Sequence, residues 1–142
     1  MKAKVLAKFL ECSVGDLEQA NHDQNLFEHG MESYLVLSDG EADEYTAQRI
    51  LDSLWAFNAD FILSNSRIEV KPMPDILKAL KQMQEKLCEN ANPLVRALLE
   101  NEEEFIEAAV EADGRGHFLS SYDGEEHEVT HGEEPFYIYR QN

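Results

Sequence analysis

Apolar residues recur at helical spacing through the middle of this 142-residue chain and give way to strand-like runs on either side. Ala47, Ile50, Leu51, Leu54 and Trp55 mark one face of a helix, as do Ile76, Leu77, Leu80, Met83 and Leu87. Leu94, Val95, Leu98, Leu99, Phe105, Ile106, Ala109 and Val110 continue the pattern, either as one long helix or as two joined at Asn101. By contrast, Leu26-Phe27-Glu28 and Tyr34-Leu35-Val36-Leu37 flank His29-Gly30 as two strands flank a hairpin turn. Phe136-Tyr137-Ile138-Tyr139-Arg140 has the aromatic and β-branched makeup of a further strand. This patterning predicts an α+β fold: a mostly helical body, an N-terminal β-hairpin and a C-terminal antiparallel β-meander, with the two strand sets joined in one antiparallel sheet. At this length residues 1–142 are expected to form a single domain.

Boundaries follow from capping and turn chemistry. Val5, Leu6, Phe9 and Leu10 share a face of a first short helix, and Ser13-x-x-Asp16 has the capping pattern of a second. That second helix, Asp16-Leu17-Glu18-Gln19, offers no base or phosphate contacts, which argues against a DNA-binding helix-turn-helix. Ser38-x-x-Glu41 is a capping box expected to open a helix of about 18 residues. Asp60-Phe61-Ile62-Leu63 reads as another helical turn, Lys71-Pro72-Met73-Pro74 as a linker, and Pro74 as a first helical residue. Asn92-Pro93 restarts the helix, and Gly114 caps its end. His117-Phe118-Leu119-Ser120-Ser121-Tyr122 is expected as a strand running into a hairpin turn at Asp123-Gly124.

Charge narrows the functional classes. Lys and Arg number 12 against 29 Asp and Glu, a net of −17, so direct binding of a nucleic-acid backbone is not expected. Residues 101–142 hold 12 of the acidic residues and only two of the basic ones. Glu102, Glu103, Glu104, Glu107 and Glu111 fall on a helical pattern whose other side is apolar, so they are candidates for an acidic interaction face. Such a row can imitate DNA phosphates towards a cationic protein; the plainer alternative is a solubilising surface. Tyr122, Tyr137 and Tyr139 are candidates for an aromatic interface if their face of the sheet is open.

His127-Glu128-Val129-Thr130-His131 has the H-E-x-x-H pattern in which, on a helix, two histidines hold zinc and the glutamate acts as general base. Here Val129, Thr130 and Gly132 favour a strand, where residues four apart lie about 13 Å from one another. A metal-dependent hydrolase using His127, Glu128 and His131 is therefore the alternative reading, while adventitious metal binding, by His117, His127, His131 and the surrounding carboxylates converging across the meander, is expected ahead of a catalytic zinc site. Asp113-Gly114-Arg115-Gly116-His117 and Asp123-Gly124-Glu125-Glu126 lack the spaced ligands of a calcium loop, and Gly114-Arg115-Gly116 is too short for a dinucleotide fingerprint. Arg115 is a candidate to pair with a neighbouring carboxylate. No cofactor is expected. Cys12 and Cys88 lie in apolar helical contexts and read as buried, unpaired thiols. Lys8 and Glu11 interrupt the first apolar stretch, so neither a signal-peptide core nor a membrane span is expected, and a cytoplasmic location follows.

The stretch Tyr34-Leu35-Val36-Leu37-Ser38-Asp39-Gly40-Glu41-Ala42-Asp43-Glu44, continuing to Leu54-Trp55-Ala56-Phe57-Asn58, resembles a group of small acidic proteins of bacteriophages and mobile elements. The stretch from Asp113-Gly114-Arg115-Gly116-His117 through Asp123-Gly124-Glu125-Glu126, with its Phe136–Arg140 ending, resembles the same uncharacterised family. The resemblance implies a phage-type or accessory gene and carries no activity over. The expected function is that of a non-enzymatic protein-interaction module, in its most specific form a DNA-mimic inhibitor of a nucleic-acid-binding protein.

Overall fold

The computed structural model describes residues 1–68 and 74–142, with Pro74 described by its backbone alone. Lys71, Pro72 and Met73 of the expected linker lie outside the described residues. The chain forms two compact units, one of residues 1–46 and 113–142 and one of residues 47–112.

The first unit is a five-stranded antiparallel sheet with helices on both faces. Its strands are β1 (Glu18–Gln19), β2 (Leu26–His29), β3 (Glu32–Ser38), β4 (His127–His131) and β5 (Glu134–Arg140), in the order β1-β2-β3-β5-β4. The pairing of β3 with β5, from Tyr34 opposite Arg140 to Ser38 opposite Phe136, joins the two ends of the sequence. Helix α1 (Lys2–Leu10) covers one face, packing Val5 and Leu6 against Phe27, Tyr34, Val36, Phe136 and Ile138. On the other face Leu35, Leu37 and Tyr139 pack against Ala42 of α2 (Asp39–Asp52) and Leu119 of α7 (Arg115–Leu119). Coverage of both faces explains why Tyr34-Leu35-Val36-Leu37 is an unbroken apolar run, not an alternation.

Ser38 and Glu41 form the reciprocal capping box that opens α2: the Ser38 N–H donates to Glu41 Oε1 at 3.0 Å and the Glu41 N–H to Ser38 Oγ at 3.3 Å. The helix runs 14 residues and a 3-10 turn, Leu54–Ala56, follows.

Three expectations are corrected in this unit. Ser13 and Asp16 do form a capping box, but it closes a single 3-10 turn (Val14–Asp16), and Glu18–Gln19 pairs as a strand with Phe27 and Glu28. His117–Tyr122 is not a strand, because Arg115–Leu119 is helical and buries Leu119. Asp123-Gly124 is not a hairpin turn: the Ser120 hydroxyl lies 2.8 Å from both Asp123 Oδ1 and the Arg140 carbonyl oxygen, within reach of donating to either, and fixes the segment as a loop beside β5. The turn between β4 and β5 falls at Gly132 and Glu133, with Gly132 at φ 67°, a left-handed conformation suited to glycine.

The second unit is helical among its described residues. It holds the latter part of α2, then α3 (Ala59–Ser64), α4 (Pro74–Leu87), α5 (Asn92–Leu98) and α6 (Glu102–Asp113). The Leu94–Val110 pattern is two helices, since Leu99 is extended at ψ 133° and Asn101 Oδ1 caps α6 by accepting the Glu104 N–H at 3.0 Å. Phe105, fully buried, meets Phe57 and Phe61 edge-on at 5.1 and 5.2 Å between ring centroids. Gln84, unforeseen in the apolar stripe of α4, is buried and donates to the carbonyls of Trp55 and Phe57 at 2.9 and 2.7 Å. Leu87, expected on that stripe, is exposed because α4 ends there. Cys88 is exposed and Cys12 half-buried, so neither is the buried thiol expected.

Candidate functional site

Helix α6 carries the acidic row on a firmly seated support. Its first turn is capped by Asn101 and holds Glu102, Glu103 and Glu104, where the partial positive charge of the helix end favours carboxylates. Phe105 and Ala109 are buried, Ile106 and Val110 half-buried, and Glu103, Glu104, Glu107 and Glu111 exposed. Glu102 stands apart from the row, as Arg96 clasps it in a bidentate pair, Nη2 to Oε1 at 2.8 Å and Nε to Oε2 at 3.0 Å. The other four make no ion pair with any described residue. From Glu103 to Glu111 the helix rises about 12 Å, so four carboxylates fall at about one per 3–4 Å, close to the one charge per about 3.4 Å along a DNA strand.

The sheet unit is the more acidic of the two, with 17 acidic and 5 basic residues against 12 and 7 in the helical unit, or −12 against −5. Three of its five cations are engaged internally. Lys2 Nζ contacts both oxygens of Glu41 at 2.8 Å and donates to Asn25 Oδ1. Arg140 pairs with Glu32 at 3.0 Å and lies 3.7 Å from the Tyr122 ring centroid. Arg115, only 13% exposed in its side chain, reaches Asp39 at 2.9 Å, Asp43 at 3.0 Å and Glu126 at 2.9 Å, and stacks 4.5 Å above the Tyr137 ring. Burial works against its charge, but the hydrogen bonds to Glu126 and Asp39 more than offset this and hold the guanidinium above its ordinary value. The spacing of Asp39 and Asp43, four residues apart on α2, puts both on the face that meets Arg115.

The three tyrosines do not form one exposed patch. Tyr122 is 54% exposed, Tyr137 is half-buried beneath Arg115, and Tyr139 is fully buried because α2 and α7 cover that face of the sheet. Burial, then the hydrogen bond to Glu126, push the Tyr139 phenol up from its ordinary value.

His127 and His131 occupy the two ends of β4, about 13 Å apart along an extended strand. The His127 ring lies against Phe9 at 5.1 Å, and His117 sits on α7 against Phe118. Among the described residues no three His, Cys, Asp or Glu side chains are grouped to hold a metal ion. The helical geometry that gives H-E-x-x-H its zinc chemistry is therefore not formed. Among the described residues no helix is long and apolar enough to cross a membrane.

No protein-family model, curated protein or solved structure matches this chain.

Proposed function

We propose that this chain is a non-enzymatic, acidic protein-interaction module of phage or mobile-element type, which works in the cytoplasm by occupying the cationic surface of a nucleic-acid-binding protein. The observation that carries the reading is the row Glu103, Glu104, Glu107 and Glu111, exposed on α6 with no cationic partner among the described residues. Its charge density is that of one DNA strand, and the buried Phe105 holds its support in place. A partner that normally grips phosphates with Lys and Arg meets a comparable mean density of negative charge, displayed on a helix whose backbone is already in place. The net charge of −17 adds long-range attraction, which accelerates encounter and fades with salt.

Affinity capture from a bacterial lysate at low and at high salt tests this reading. It expects a basic, nucleic-acid-binding protein retained at low salt, released at high salt and displaced by added duplex DNA. Capture that neither salt nor DNA affects would leave electrostatic mimicry without support.

A further inference from the structure

Strand β4 ends the sheet, and the hairpin register says which of its backbone groups are free. Thr130 stands opposite Pro135, which has no N–H, so that pair is of the non-hydrogen-bonded type. The pairs on either side of it, Val129 with Phe136 and His131 with Glu134, are then the hydrogen-bonded ones. Glu128 and Thr130 accordingly turn their N–H and C=O groups outward, and no described residue bonds to them. Their side chains are exposed on one face of the sheet, while Val129 on the other is half-buried in the cluster that includes Phe9 of α1.

We propose that this edge accepts an extended, basic segment of a partner protein as a sixth strand. Two outward residues supply four backbone hydrogen bonds to an antiparallel strand, and side-chain alternation sets the sequence it prefers. On the face of Glu128 and Thr130 a Lys or Arg meets Glu128, with Glu125 and Glu133 exposed nearby in sequence. On the opposite face a β-branched residue extends the contact of Val129 and Phe9. Charge also decides against a second copy of this chain, since antiparallel self-pairing brings two strands flanked by glutamates together at an overall charge of −17 each. Helix α6 plays no part in this site.

The test uses an alternating Lys-Val octapeptide as probe, with Lys-Pro and Glu-Val octapeptides as controls, and follows backbone amide exchange of the full chain by NMR. The Lys-Val peptide should slow exchange at Glu128 and Thr130 by about tenfold or more, in wild type and in the α6 variant E103K/E107K/E111K alike. Substituting Glu128→Lys should weaken its binding about fivefold. Equal protection by Lys-Pro, which cannot pair as a strand, or by Glu-Val, which has the wrong charge, would overturn the proposal. Protection of these amides that grows with protein concentration in the absence of peptide would overturn it in favour of self-pairing. Loss of the effect only in the α6 variant would overturn it in favour of charge attraction at α6.

Discussion

The buried phenol of Tyr139 donates to Glu126 at 2.5 Å, and the same carboxylate grips Arg115 through both of its oxygens. The neutral, protonated phenol is the form this site accommodates. Tyr139 is raised above its ordinary value of 10.0 by burial and then by Glu126, and Tyr34 is raised to about 12 by burial and then by Glu32. A raised folded value means that stability is complete below pH 10 and is lost as pH climbs through the folded values. Each such tyrosine contributes a slope of about 1.4 kcal/mol per pH unit in that range. Tyr139→Phe should cost about 1 kcal/mol at neutral pH through the missing hydrogen bond, and should flatten the decline above pH 10 by one tyrosine's share. Denaturant melts at neutral pH and across the alkaline range check both effects.

Among the glycines, Gly116 lies tightest against neighbouring backbone. A Cβ there would lie 2.4 Å from the Gly124 carbonyl oxygen and 3.0 Å from backbone atoms of Glu125 and Glu126. Backbone cannot swing aside as a long side chain can, so Gly116→Ala should destabilise by about 1–3 kcal/mol. Gly40, in the first turn of α2 with nothing within 4 Å of its Cβ position, is the control. Gly40→Ala should be neutral or stabilise by up to about 1 kcal/mol. Equal costs for the two substitutions would mean that the approach of α7 to the 124–126 loop is not as described.

These two sites also mark how far sequence reasoning reaches. The β2–β3 strands, the Ser38 and Glu41 capping box and the apolar face of α6 are local patterns, and each formed where its pattern lay. Helix α7 left no such trace, because five residues cannot sustain a helix alone. What defines α7 is Gly116 lying against a loop, a tertiary relationship. The burial of Tyr139 was hidden for a similar reason: alternation along Phe136–Arg140 separates two faces without saying that both are covered. Arg115 was readable as a cation in need of carboxylates, but finding Asp39 and Asp43, more than seventy residues earlier, required the pairing of β3 with β5.

Glu41 links the capping box to α1. Burial pushes its carboxyl up, but hydrogen bonds from Lys2 and Ser38 outweigh this and leave it below its ordinary value of 4.5. A lowered carboxylate contributes stability that is present above that value and is lost as pH falls through the folded one. Its side chain is 30% exposed, and solvent screening limits the contribution to about 1 kcal/mol. Glu41→Gln should therefore be less stable than wild type at neutral pH and should converge with it in strong acid. Thermal melts over that range would show the two curves closing; a constant gap would place the effect outside the ionised carboxylate.

The central claim is that α6 presents a DNA-like row of charge, and competition with duplex DNA for the captured basic partner tests it most directly. The variant E103K/E107K/E111K changes exposed positions only, each expected to alter stability by no more than about 0.5 kcal/mol, so its circular dichroism and melting should match wild type. Wild type should displace DNA from the partner with an affinity that falls steeply as salt rises, and the variant should fail to displace it at any salt. A folded variant that displaces DNA as well as wild type would contradict the claim.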